Sequence, residues 1–293
     1  MQQKIMNSNS PHRYGLVLEG GAMRGLFSAG VMDVMMEHGI SFDGIIGVSA
    51  GACFGCNYKS NQPGRVIRYN KKFGRDPRYM GWRTLLRTGD LVGAEFAYHE
   101  LPAKLDIFDC ETFNNSPMEF IMVTTDVETG APVYYNMESV TYESLEWMRA
   151  SASMPVVTRP VRVDDGRLML DGGISDSIPL RHFQSRGYDR CIVILTQPRD
   201  YFKKPAPKWF FNLALRRYPA LAKAMANRHE MYNAQLKFVD EQERAGNCLV
   251  IAPGQPLPIS RIESDPEKMQ TVYQLGQQTA IQRLPDIISF LSH

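Results

Sequence analysis

From Tyr14 to Glu19 the chain is apolar almost without a break, which predicts a short strand buried on both faces. Gly20-Gly21-Ala22-Met23-Arg24-Gly25 interrupts it. Leu26, Phe27, Val31, Val34 and Met35 then recur at helical spacing as far as Gly39, which has the character of a helix C-cap. The arrangement repeats at once: Ile45, Ile46 and Val48 make a second strand, Gly47-Val48-Ser49-Ala50-Gly51 a second turn, and a helix of small residues follows. Two strand-turn-helix units in succession predict a parallel sheet covered by helices.

Farther along, Gln62 to about Pro102 has Gly and Pro punctuation and only short apolar runs, and reads as a lid-like excursion of helices and loops. Pro117–Val127 and Ala131–Tyr135 are expected strands, and Thr141 begins a helix through Ser144 and Trp147 to about Ser151. Asp164-Asp165-Gly166 between Val161–Val163 and Arg167–Leu170 is a hairpin signal, and its second arm delivers Asp171 at the strand end. Cys191–Leu195 and Cys248–Ala252 are further buried strands, and Ser264-Asp265-Pro266-Glu267 starts a last helix. A domain boundary, if there is one, falls in the Pro- and Lys-rich stretch Pro198–Lys208. That would leave a mixed α/β region over 196–293.

Composition changes this picture little. With 293 residues, 44% hydrophobic and 22% charged, the chain is of ordinary globular make-up and long enough for one large α/β domain or a domain with an appendage. No signal-like apolar stretch opens it and no membrane-spanning run occurs, so the cytoplasm is the expected compartment. Five scattered cysteines fit a reducing environment. Cys53 and Cys56 have C-x-x-C spacing but no second ligand pair, and read as small buried side chains, so no metal or organic cofactor is expected.

Charge changes it more. Net charge is only +2, yet Arg65–Arg87 holds eight Lys/Arg against Asp76, interleaved with Tyr69, Phe73, Tyr79 and Trp82. Tyr201–Arg228 holds seven Lys/Arg and no acid, with Tyr201, Phe202, Trp209, Phe210, Phe211 and Tyr218 among them. Such segregation fits a basic, aromatic-rimmed face for anionic lipid headgroups or nucleic acid. Two solvated loops with inward aromatics is the alternative. No nucleic-acid module accompanies the stretches, so nucleic acid is not an expected partner. Peripheral contact with an anionic inner-membrane surface is.

The chemistry is in the turns. Gly47-Val48-Ser49-Ala50-Gly51 is G-x-S-x-G between a strand and a helix, where flanking glycines allow a sharp turn that lifts the serine above the sheet and the helix start favours developing negative charge. A serine capping a helix would look the same in isolation. The Gly20–Gly25 loop fits G-x-[GA]-x-x-G loosely, but Ala22 replaces the middle glycine and no acid follows the second strand, so it is a weak nucleotide signal; its exposed N–H groups would equally serve an oxyanion hole. Of His12, His38, His99, His182, His229 and His293, none ends a strand late in the chain, where a Ser-acid-His order would need it. Asp171-Gly172-Gly173 does end a strand in a glycine turn.

Together these elements resemble the patatin-like phospholipase family: Gly20–Gly25 its oxyanion loop, Gly47–Gly51 its nucleophile elbow and Asp171-Gly172-Gly173 its aspartate turn. Ala150-Ser151-Ala152-Ser153-Met154-Pro155 resembles the segment before its aspartate hairpin. The similarity covers about residues 14–180, departs from the family at Ala22 and does not extend to the last hundred residues. It implies a three-layer α/β/α fold with a mainly parallel central sheet and a Ser49-Asp171 dyad hydrolysing carboxylic esters of lipids. In that scheme the N–H groups of Gly21 and Ala22 hold the oxyanion and Arg24 adds charge nearby. Two other readings are a nucleotide-binding protein using the glycine loop and a lipid-surface binding protein with a decayed site. The substrate's acyl chain and headgroup, and the oligomeric state, are not encoded in these motifs.

Overall fold

The computed structural model describes residues 12–81, 84, 85, 89, 90, 92–155 and 157–292. The chain's first eleven residues, Trp82, Arg83 and Arg87 of the first basic stretch, and His293 lie outside the described residues. Eight strands form one sheet: β1 (Tyr14–Leu18), β2 (Gly44–Val48), β3 (Glu119–Asp126), β4 (Pro132–Asn136), β5 (Val161–Arg162), β6 (Leu168–Asp171), β7 (Arg190–Ile194) and β8 (Cys248–Ile251). Their order is β5-β6-β3-β2-β1-β7-β8, with β4 also on β3. The stretch from β3 through β2, β1 and β7 to β8 is parallel, while β4 and the β5–β6 hairpin are antiparallel additions.

Side chains alternate across this sheet into two cores, as period-two geometry requires. Leu16, Leu18, Ile45, Phe120, Met122, Ile192 and Ile194 face one side, and Val17, Ile46, Val48, Ile121, Val123 and Val193 the other. The first side is covered by helices α1 (Gly25–Glu37), α2 (Ala50–Lys59) and α3 (Arg65–Phe73) and by the last helix, Pro266–Ser292. The second is covered by the helices Leu180–Ser185 and Pro219–Arg244, which bring Phe183, Tyr232 and Val239 into its core. The result is three layers, α/β/α.

The last hundred residues are built into this body. β8 pairs with β7 in parallel register, and the helix Pro266–Ser292 crosses α1 at two glycines. A Cβ on Gly30 would fall 2.1 Å from the Tyr273 carbonyl, and one on Gly276 2.0 Å from that of Phe27, so the two backbones touch where side chains are missing. Tyr273 also donates to buried Asp33 of α1 at 2.7 Å.

The first basic stretch departs from the expected outward face. Tyr69, Phe73 and Tyr79 are buried and pack edge-on with one another and with Phe96. Arg65 is buried too: it and Arg68 share the buried Asp106 carboxylate at 3.2 and 2.8 Å, and Arg78 pairs with Asp76 at 2.9 Å. Tyr69 and Phe73 are four residues apart on α3, which puts them on one inward stripe. A wide π-type helix, Glu95–Leu105 with Pro102 inside it, completes this excursion.

Candidate active site

Sheet register brings the two candidate residues together. On β3, Val123 lies opposite Val48 of β2, and Thr124 lies opposite Asp171 of β6. Ser49, which follows Val48, and Asp171 therefore stand at one level on either side of the strand that separates them.

Ser49 sits at φ 56°, ψ −123°, a region that L-residues rarely occupy and that persists only where the surroundings enforce it. Its carbonyl accepts from Ala52 and Cys53 N–H at 3.0 Å each, starting α2, while its own N–H donates to Ser151 Oγ at 3.0 Å. Ser151 in turn donates to Val123 O at 2.7 Å. Gly51 permits the tight approach behind the turn, since a Cβ there would meet Leu18 O at 2.5 Å, and Gly47 is buried beneath it.

Asp171 is buried and held at both backbone ends: its N–H donates to Ser153 O at 2.8 Å, and its carbonyl accepts from Thr125 Oγ1 at 2.8 Å. Gly172 and Gly173 open a single 3-10 turn, from which Gly173 N–H donates to Asp171 Oδ1 at 2.7 Å. Burial pushes the Asp171 carboxyl above its ordinary range. The Ser49 hydroxyl, the Arg228 guanidinium and the Gly173 N–H favour the ionised form and pull it part of the way back. Arg228 Nε also donates to Gly173 O, fixing the turn from outside.

The glycine loop folds over the serine. A Cβ on Gly20 would fall 3.0 Å from Ser49 Cβ and 2.9 Å from Val48 O, so the loop backbone rests on the elbow. Gly21 is extended. Ala22 is at φ 49°, left-handed, where the absent glycine would have been at ease; the methyl costs about 1 kcal/mol of backbone strain but leaves the N–H in place. Among the described residues, no protein acceptor takes the N–H of Gly21 or Ala22. Arg24 ends the short 3-10 turn Ala22–Arg24, and Gly25 begins α1 against Ala50 and Phe54. Underneath, buried Glu19 accepts from Thr196 N–H at 2.6 Å and from Tyr232 Oη at 2.7 Å. Thr196 Oγ1 reaches Gly20 O at 3.1 Å.

Ser49 and Ala22 open onto a cavity of about 750 Å³, walled mainly by apolar side chains such as Met23, Phe54, Leu101, Met148 and Met154, with Arg261 also lining it. Cys53 and Cys56 both line it, and Cys56 Sγ donates to Cys53 O. Burial pushes both thiols up to about 12. His99 borders the cavity and meets Glu146 at 3.2 Å. The other described histidines contact Asp189 (His12), Val34 O (His38), the Tyr134 ring (His182) and Ala226 O (His229). None of these five bonds to Ser49 or Asp171. Among the described residues, no group of three His, Cys, Asp or Glu is placed to hold a metal.

Sequence reasoning thus reaches every backbone turn of the site but misses the residues that brace it: Ser151, Ser153, Glu19, Arg228 and Tyr232. Only Ser151 and Ser153 had a signal, as part of Ala150–Pro155.

Fold and site together define an α/β protein in which a strained serine elbow faces a buried aspartate under a glycine loop. The family model described as patatin-like phospholipase matches residues 16–183, over half of the chain, and the chain belongs to that family. A second model, for a domain of unknown function, matches residues 218–292. An uncharacterized protein of Escherichia coli, YjjU, is 27% identical over 91% of this chain and 76% of its own length. An uncharacterized NTE family protein of Mycobacterium tuberculosis is 30% identical over 65% of this chain and 51% of its own. The lysophospholipase nte1 of Aspergillus oryzae is 28% identical over 89% of this chain but only 17% of its own. The chain therefore spans about half of the mycobacterial relative and under a fifth of the fungal one. Among solved structures, VipD from Legionella pneumophila superposes over 94% of this chain and 67% of its own, at TM-score 0.48 and 15% identity.

Proposed function

We propose that the protein is a lipid acyl hydrolase that cleaves carboxylic esters through an acyl-enzyme on Ser49. Asp171 takes the hydroxyl proton as Ser49 Oγ bonds to the ester carbonyl carbon. The oxyanion is held by the N–H groups of Gly21 and Ala22, and the alcohol leaves carrying the proton returned by Asp171. Water then attacks by the same route, releasing the fatty acid and restoring the serine. Burial suits Asp171 to this work, because a carboxyl above its ordinary range is a better base near neutral pH.

The observation that carries the reading is Ser49, on its left-handed elbow beside buried Asp171, lining an apolar cavity large enough for an acyl chain. The relatives named lysophospholipase favour a lipid ester over a simple one. Mass spectrometry of lipid extracts tests it: fatty acid and deacylated lipid should accumulate with the native protein and not with Ser49→Ala. Equal turnover by both would end the proposal.

The same reading includes docking on an anionic bilayer through the second basic stretch. Phe202, Trp209 and Leu213 are 68%, 69% and 66% exposed beside exposed Lys204, Lys208, Arg216 and Arg217. Such a mixture of rings and cations favours a headgroup interface. Among the described residues, no helix is long and apolar enough to cross a membrane.

A further inference from the structure

Most described arginines near a carboxylate are neutralised by one: Arg65 and Arg68 by Asp106, Arg149 by Glu146, Arg167 by Asp165, Arg199 by Glu243. Four cations around the candidate site are not. Arg24, Lys203, Arg228 and Arg261 form no ion pair among the described residues, and Arg24 Nε is buried with no hydrogen-bond partner. Three of the four come from the C-terminal segment.

Their positions are fixed by contacts already described or close to them. Arg228 is tied to Gly173 O beside Asp171, and Arg261 borders the cavity that contains Ser49. Lys203 Nζ lies 4.3 Å from the centre of the Tyr232 ring, whose hydroxyl reaches Glu19 under the glycine loop. Lys203 is pinned there by paired backbone bonds to Asn233, at 2.9 and 3.0 Å. The carboxylates that offset these cations are Glu19 and Asp171, and burial pushes both toward their neutral forms. Burial first, and then Arg228, push Lys203 down to about 8, with Glu19 opposing the fall and Arg261 and Arg24 adding to it. Four cations, of which only Arg261 is exposed, against two buried carboxylates leave an excess of positive charge that is costly unless an anion joins it.

We infer that Lys203, Arg228 and Arg261 form a phosphate-binding site at the mouth of the candidate active site. The C-terminal segment supplies it, and it takes the phosphate of a glycerophospholipid whose acyl ester lies at Ser49. Across a glycerol unit, the acyl chain enters the apolar cavity while the phosphate remains among the cations at its rim. Arginine suits phosphate because its planar fork meets two oxygens at once. The choice of substrate rests on the acyl-hydrolase reading, but the anion site does not.

Two measurements keep these apart. In the first, sn-glycerol 3-phosphate, inorganic phosphate and glycerol are titrated into the Ser49→Ala full chain by calorimetry at pH 8. The phosphate ester should bind with net proton uptake, since an anion raises the Lys203 pKa, and glycerol should not bind. Lys203→Gln and Arg261→Gln should each weaken binding about tenfold or more, as expected for a lost charge-assisted contact. Absence of binding at millimolar concentration, or equal binding by the variants, overturns the site. In the second, the native chain hydrolyses lysophosphatidylglycerol and monoacylglycerol. The ratio of their kcat/KM values should exceed ten, and in Arg261→Gln it should collapse several-fold through KM. A ratio near one, with inorganic phosphate binding as tightly as the ester, overturns the headgroup assignment in favour of a site for free phosphate. If neither ester is cleaved, the acyl-hydrolase reading fails, and the calorimetry alone decides the anion site.

Discussion

Residues 14–183 and residues 196–292 meet at the same carboxylate but contribute to it in opposite ways. The first region acts through backbone turns: a left-handed serine, a glycine loop resting on it and an aspartate at a strand end, each specified by a few adjacent residues. The second acts through single long side chains on a helix and loops, namely Arg228, Tyr232, Lys203 and Arg261, delivered from surfaces with no motif of their own. In this protein the proposed reacting groups are local and their electrostatic environment is long-range. The first region should then tolerate no change to its reacting groups, while the second should tune rates and pH dependence.

The sharpest break would come from Ser49→Ala, which should lower ester hydrolysis by about 10³-fold or more with an unchanged circular dichroism spectrum. Activity within tenfold of native would remove the first region's claim. Asp171→Asn should be nearly as damaging. By contrast, Gln at His12, His38, His99, His182 or His229 should change kcat by less than about threefold, since none bonds to either residue. A histidine whose loss abolishes turnover in a folded protein would show that a third member had been missed.

The second region is probed by Arg228→Gln, expected to lower kcat by about 10- to 100-fold, a cost of about 1.4 to 2.7 kcal/mol. The sign of its pH effect is fixed. A base works only when ionised, so kcat/KM falls as pH drops through the Asp171 pKa, which burial holds above the ordinary 3.8. Arg228 lowers that pKa, so its removal should move the acid limb to higher pH. A rate loss with an unmoved limb would make Arg228 a purely structural brace.

Ser151→Ala should be milder for catalysis but cost about 1–3 kcal/mol in urea denaturation, because it strips acceptor and donor from Ser49 N–H and Val123 O. The smallest effect on soluble-ester turnover is expected from Lys204, Lys208 and Arg216 changed together to Glu. Only cosedimentation with phosphatidylglycerol vesicles should drop, several-fold and less so in high salt. Binding indifferent to lipid charge would leave Trp209 and its neighbours unexplained as a docking face.

The same contrast explains what could be read in advance. β1 and β2 with their turns, the Asp164-Asp165-Gly166 hairpin and the last helix follow from runs of adjacent residues, and so do Ser49 and Asp171. Their braces do not: Ser151 lies 102 residues from Ser49, and Arg228 lies 55 from Gly173, separations at which periodicity carries no information. The two basic stretches make the point again. Alike in composition, they part because Tyr69 and Phe73 share an inward stripe on α3, while Phe202, Trp209 and Leu213 stay exposed even though their neighbour Phe211 packs inward. The pairing of Arg65 with Asp106 was equally invisible, since the acid belongs to another segment.

The central claim is that Ser49 is an activated nucleophile with Asp171 as its base. It is tested most directly by treating the native chain with a fluorophosphonate and mapping the adduct by peptide mass spectrometry. One adduct per chain on Ser49, forming at least a hundredfold more slowly in Asp171→Asn, is the predicted result. Absence of modification at Ser49, or equal rates in the native chain and the Asp171→Asn variant, would contradict it.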